Sequence, residues 1–267
     1  MKVLKKNSWP ILKLCQKLNK EKSNMYIIEG NIGAGKSTFL KLIEQKLPSI
    51  SIALEPIHNW QGTVYGQSLL SNFYQQPKRW AYTMETLTMM CRVREHLQEQ
   101  TLNNPNKIIE RSIYSGHYCF AQNGYDQGFM TSLEWQSYLE WFNLLIPKRC
   151  KAPLGFVYLR VDPEIAYERL KKRNRLAEKG ITLQYLKQIH AKHESFLIND
   201  KKLLPSIQLT PVLVLDCNEE FEANEIKFAE HCQKVQQLMT TTQQTYAAAR
   251  VDWQILRHTQ ETTNLKT

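Results

Sequence analysis

One stretch constrains this chain more than any other. Gly30-Asn31-Ile32-Gly33-Ala34-Gly35-Lys36-Ser37-Thr38 follows the apolar run Met25–Glu29 and precedes a helical pattern over Ser37–Leu47. It matches the spacing G-x-x-x-x-G-K-[ST] in the strand–loop–helix setting that this spacing requires. Glycines let backbone N–H groups wrap a phosphate chain, and the N-terminus of the next helix adds its positive dipole end. Lys36 would neutralise the β- and γ-phosphates, and Ser37 would offer its hydroxyl to Mg²⁺. The loop implies a bound nucleoside triphosphate, ATP or GTP.

Around it the pattern is α/β. Five short apolar runs read as strands: Met25–Glu29, Ser51–Glu55, Lys107–Glu110, Gly155–Arg160 and Val212–Asp216. Near-continuous apolar strands separated by helical stretches predict a parallel sheet covered on both faces. Right-handed crossovers with the phosphate loop on the central strand predict the order 2-3-1-4-5 in one domain. Helical periodicity marks about Trp80–Leu102, Leu133–Ile146, Pro163–Arg175, Leu183–Ile198 and Phe221–Leu238. The expected layout is a basic extension over 1–24, a domain over 25–239 and a polar, partly irregular tail over 240–267.

The net charge of +10 is concentrated. Residues 1–24 hold seven lysines and one acid, which leaves +4 for the rest. A nucleic-acid binder spreads its basic residues over a folded face, so no nucleic acid is expected as partner. The basic arm fits a loose terminus, an organelle-targeting segment, or sequence ahead of a start at Met25. No apolar run is long enough to span a membrane. Six cysteines never fall closer than 15 residues apart, which leaves no CxxC metal or redox pair and suggests reduced thiols in the cytoplasm. His190, His193 and Glu194 lack the order of a zinc-peptidase motif and read as a polar helix face.

Charged residues at other strand ends narrow the chemistry. Glu55 stands in Leu54-Glu55-Pro56-Ile57-His58-Asn59-Trp60 and Glu110-Arg111-Ser112 follows the third strand. In doubly wound folds the carboxyl ends of strands converge on the ligand. An acid there can take a proton from an attacking hydroxyl, and an arginine can stabilise the transferring group.

With these residues in place the chain resembles the deoxynucleoside kinases, in the branch that holds deoxycytidine and deoxyguanosine kinases. The resemblance runs from about Tyr26 to Leu238 through EGNIGAGKST, LEPIHNW, FYQQPKRW, ERSIYSGHYCFAQN, YLRVDPEIAYERL, GITLQYLKQIHAKHESFL and PVLVLDCNEEF. It implies a P-loop kinase fold that transfers a phosphoryl group from ATP, with Mg²⁺, to the 5′-hydroxyl of a deoxynucleoside. Glu55 would be the general base, Arg111 would hold that base and the phosphoryl group, and Glu110 would help bind Mg²⁺. Trp60 and Phe120 would enclose the nucleobase, while Tyr74 and Glu178 would meet the sugar 3′-hydroxyl. In the run RLKKRNR, Arg173 and Arg175 would close on the phosphates and Arg169 would lie near adenine, beside Glu220 and Phe221 of DCNEEF. The family also implies a homodimer formed through helices, and Leu133–Ile146 carries more aromatic residues than one core-facing stripe needs.

Two departures touch base reading. Glu85 stands where the family has glutamine, and Gly116 where this branch has aspartate. Arg92 matches the arginine that pairs with that aspartate, and lies seven residues, two helical turns, from Glu85. The spacing suggests that Arg92 has exchanged its partner for Glu85, keeping it ionised. Gly116 would leave room for a larger base or a thymine methyl, and Met84 replaces a usual aromatic. An ionised Glu85 accepts from the N–H of keto bases, so these are expected to be preferred, guanine ahead of thymine; a protonated Glu85 would instead mimic glutamine and admit cytosine or adenine. A nucleoside monophosphate kinase and a non-catalytic assembly subunit remain as alternative functions.

Overall fold

Tyr26, Ile27 and Ile28 show how the sheet is built: all three are buried, with Tyr26 and Ile28 in one core and Ile27 in the other. Successive side chains of a strand point to opposite faces, so an unbroken apolar run suits a strand covered on both sides. The computed structural model describes residues 25–61, 63–64, 67–102, 106–199 and 203–264. The basic segment 1–24 lies outside the described residues.

The strands are β1 (Met25–Glu29), β2 (Ser51–Ala53), β3 (Thr63–Val64), β4 (Gln67–Ser68), β5 (Lys107–Glu110), β6 (Gly155–Arg160) and β7 (Val212–Asp216). Five form a parallel sheet in the order β2-β5-β1-β6-β7, which is the expected topology. The antiparallel pair β3–β4 is an addition that the pattern did not show. The second strand ends at Ala53, so Glu55 sits on the loop beyond it rather than in the sheet.

Helices cover both faces. Lys36–Lys46 buries Phe39, Leu40 and Ile43, and Val235 and Met239 of the last helix join them in the same core. The other core takes Phe73 and Met84, together with Tyr138, Phe142 and Phe196. The helix Ser132–Arg149 starts with a capping box, in which Thr131 Oγ1 accepts from Glu134 N and Glu134 Oε2 accepts from Thr131 N. Such caps contribute about 1 kcal/mol.

The last helix departs from expectation. It runs from Glu225 to Asn264, through the stretch expected to be irregular. Tyr26 Oη donates to Met239 O, and Gln243 Nε2 donates to Asn106 Oδ1. Met239 and Thr242 are buried. Contacts from the sheet thus carry helical order past a boundary that composition alone placed at 240.

Candidate active site

The loop Gly30–Thr38 is shaped by close approach. Gly33 has φ +82°, and a Cβ there would lie 2.4 Å from the Ala166 carbonyl oxygen, so no side chain fits. Asn31 ties the loop to the helix Leu183–Glu194, with Nδ2 donating to Leu186 O at 2.9 Å while Oδ1 accepts from Ile32 N. Lys36 Nζ donates to the carbonyls of Gly30 and Asn31 at 3.0 and 2.8 Å. Burial, with Arg111 nearby, pushes the Lys36 ammonium down to about 7 against the pull of Glu110, Glu55 and Glu29. An incoming phosphate would supply the negative charge that this buried cation lacks.

The end of β5 is fastened to the loop. Ser37 Oγ donates to Glu110 Oε1 at 2.7 Å, and Glu110 Oε2 accepts from Glu55 N at 3.3 Å. Ser112 Oγ donates to Glu29 Oε1 and accepts from the N–H groups of Tyr114 and Ser115, capping the helix Ile113–Ser115. Arg111 between them has φ +63°. That left-handed conformation costs a non-glycine residue on the order of 1 kcal/mol. Its N–H donates to Ile28 O at 2.9 Å, which helps hold it. Arg111 Nη1 is buried without an acceptor among the described residues.

A cavity of about 400 Å³ opens from the loop. It brings together Gly33, Gly35, Lys36, Ser37, Thr38, Glu55, Trp60, Tyr74, Glu85, Arg92, Glu110, Arg111, Phe120, Arg173, Arg175 and Glu178. Residues from nearly every segment singled out in the sequence thus share one wall. At its centre Glu55 is held from both sides. Its Oε1 accepts from Arg92 Nη2 at 2.5 Å and Nε at 3.2 Å, and its Oε2 accepts from Arg111 Nε at 3.3 Å. Burial alone would push the Glu55 carboxyl up, but Arg92 and Arg111 together outweigh it and hold it below the usual range.

This arrangement corrects two expectations. Arg92 pairs with Glu55, not with Glu85. The space above Gly116 is not free for a larger base either, because a Cβ on Gly116 would lie 2.7 Å from Arg92 Nη1. The missing side chain makes room for the guanidinium. Glu85, buried and without a side-chain hydrogen bond or ion pair among the described residues, is left to desolvation, which pushes its carboxyl up to about 7.

At the rim the arginine run meets a carboxylate. Arg173 Nη2 lies 2.5 Å from Glu178 Oε2, and Arg175 Nη1 lies 3.5 Å from Glu178 Oε1. Glu178 and Tyr74 line the same cavity, so the residues expected at the sugar also sit beside the arginines expected at the phosphates. Arg169 and Glu220 line a separate depression with Asn218. There Arg169 Nη2 donates to the carbonyls of Asn218 and Glu219, both at 3.2 Å. Phe221 is buried behind Gly35, edge-on to Phe39 at 5.3 Å between ring centres.

A family model for deoxynucleoside kinase matches residues 26–240. The chain belongs to this family. It is 36% identical over 223 residues to chicken (Gallus gallus) deoxycytidine kinase 2, covering 75% of this chain and 84% of the relative. It is 37% identical over 220 residues to a mitochondrial deoxyguanosine kinase of Xenopus laevis, covering 74% and 82%. Human mitochondrial thymidine kinase 2 is 33% identical over 219 residues, covering 82% and 79%. The protein is accordingly an enzyme of the deoxynucleoside kinase family that phosphorylates nucleosides.

Some residues of this kinase site were not singled out in the sequence. Tyr185 lines the cavity and meets the Tyr74 ring edge-on at 6.0 Å. Thr88 lies one turn from Glu85 and donates to its backbone carbonyl at 3.1 Å. Both are ordinary helix residues whose spacing matches core positions. Their cavity-facing role depends on which helices pack together.

Proposed function

We propose that the protein transfers the γ-phosphoryl group of ATP to the 5′-hydroxyl of a deoxyribonucleoside, with Glu55 as general base. The observation that carries this reading is the Glu55 carboxylate, clamped between two guanidiniums in the same cavity as Lys36 and Ser37. Oε1 accepts two N–H groups from Arg92, whereas Oε2 has the single longer bond from Arg111. Oε2 is the oxygen with capacity for the proton. It takes that proton as the 5′-oxygen forms its bond to phosphorus and the bond to the bridging oxygen breaks, releasing ADP. Arg111 Nη1 is available as a donor to the transferring group.

Ser37 and Glu110 would hold Mg²⁺. A hydroxyl and a carboxylate 2.7 Å apart beside the phosphate loop form a hard-oxygen set, and this ion binds through few protein ligands plus substrate phosphates. When bound, it would neutralise charge between the β- and γ-phosphates. Arg173 and Arg175 would close over the phosphates from Glu178. Trp60 and Phe120 would sandwich the base. Tyr74 with Glu178 would meet the 3′-hydroxyl.

Base choice falls to Glu85. Its protonated form donates and accepts like the amide it replaces and suits cytosine and adenine. Its ionised form accepts from the N–H of guanine and thymine. A carboxyl near 7 gives both forms at neutral pH, so the keto preference expected from an Arg92–Glu85 pair loses its basis.

A second copy of the chain is the proposed partner. Trp135, Tyr138 and Phe142 are buried within the protomer, but Leu133, Trp141 and Leu144 of the same helix are 78%, 43% and 49% exposed. Light scattering at micromolar concentration should give about twice 31.4 kDa. The monomer mass would refute the dimer. Cys91, Cys119, Cys150, Cys217 and Cys232 are free thiols, which supports a cytoplasmic setting. No helix among the described residues is long and apolar enough to cross a membrane.

A coupled assay with ATP, Mg²⁺ and a panel of nucleosides and nucleoside monophosphates tests the reading. ADP release with deoxynucleosides supports it. Release with monophosphates alone would make the protein a monophosphate kinase, and none at all would leave an assembly subunit.

A further inference from the structure

The acceptor pocket contains an arginine in an unusual position. Arg92, on the helix Pro77–Glu99, is buried and its guanidinium lies 5.7 Å from the centre of the Trp60 ring. It directs Nε and Nη2 at one oxygen of Glu55 and makes no ion pair with Glu85. Gly116, in the π-helical turn Gly116–Ala121, gives it the space to do so. Any side chain there would meet Arg92 Nη1, the far end of a flexible chain, and displace it rather than the backbone.

We propose that Arg92 is a positioning residue for the general base, and that the absence of a side chain at Gly116 gives its guanidinium the room for that role. The proposal rests on the assignment of Glu55 as base. A carboxylate on a loop needs an external anchor: two donors from Arg92 fix the place of Oε1, and with Arg111 on Oε2 they set the rotation of the group. Oε2 is thereby presented to the acceptor hydroxyl. Arg111 alone, at 3.3 Å through one N–H, leaves that rotation free. Glu85 is then the titratable residue of this helix left to meet the base.

The test compares Arg92→Met, Arg92→Lys and Gly116→Ala with the unaltered enzyme on four deoxynucleosides. Loss of positioning should lower kcat by about 10- to 100-fold for all four alike, with KM and the base ranking little changed. Arg92→Lys, which keeps the charge but not the two-point geometry, should recover part of the loss. Gly116→Ala should reproduce the Arg92→Met pattern more weakly, and it keeps the test open should Arg92→Met fail to fold. An unchanged kcat in folded Arg92→Met and Gly116→Ala would overturn the proposal. So would a reordering of bases with kcat for the best one intact, since Arg92 would then read the base. Glu55→Gln is the control: if it turns over normally, the base assignment itself fails, whereas an inactive Glu55→Gln beside a normal Arg92→Met defeats the positioning role alone.

Discussion

Glu55 and Glu85 face the same cavity, Glu85 buried and Glu55 largely so, and they behave in opposite ways. Glu55 is held below the usual carboxylate range because two guanidiniums outweigh the cost of burial. Glu85 rises to about 7 because burial dominates and the same two arginines act on it only from a distance. Direct hydrogen-bonded contact separates the two cases. On the proposed reading the difference would divide the work of the pocket, with a carboxylate kept ionised in the resting enzyme for proton transfer and a titrating one set against the base.

The contrast can be broken most forcefully at Glu55. Glu55→Gln should lower kcat by about 10²–10⁴-fold while ATP still binds, as measured by turnover and nucleotide titration. A variant that retained full turnover would place the base elsewhere.

Glu85 should show its isolation in stability. Its carboxyl is raised from an unfolded value near 4.5 to about 7. The folded state therefore binds the extra proton, and the stability this gives is complete below about pH 4.5 and lost as pH rises through 7. Glu85→Gln removes that dependence. Relative to the unaltered protein, its melting temperature should climb between pH 5 and pH 8, by an amount worth on the order of 2 kcal/mol. Parallel curves for the two proteins would mean that Glu85 is neutralised by a partner.

A smaller effect separates the two forms of Glu85 in catalysis. The ratio of kcat/KM for deoxyguanosine or thymidine to that for deoxycytidine or deoxyadenosine should rise about tenfold from pH 6.5 to pH 7.5, following the ratio of ionised to protonated Glu85. Glu85→Gln should flatten it and favour the amino bases. A pH-independent ratio in the unaltered enzyme would remove Glu85 from base reading.

Much of this is legible in the sequence. The phosphate loop states its chemistry locally, because backbone N–H groups, a lysine and a helix N-terminus lie within nine consecutive residues. The sheet order followed from apolar strands and right-handed crossovers, and Glu55, Arg111 and Glu110 were visible as charges at strand ends. The final helix was less legible. Beyond residue 240 it is polar with scattered apolar residues, and contacts such as Tyr26 with Thr242 carry no pattern in the sequence.

The partner of Arg92 was decided by tertiary structure alone. Spacing of seven residues places Arg92 and Glu85 along one helix face, but it says nothing about which group from another segment comes nearer. Glu55 arrives on the loop after β2 and Gly116 vacates the space beside it, so Arg92 turns to Glu55. The charge state of Glu85 follows from that turn. An ionisation equilibrium depends on burial and on the nearest opposite charge, and both are set by packing between segments far apart in the chain.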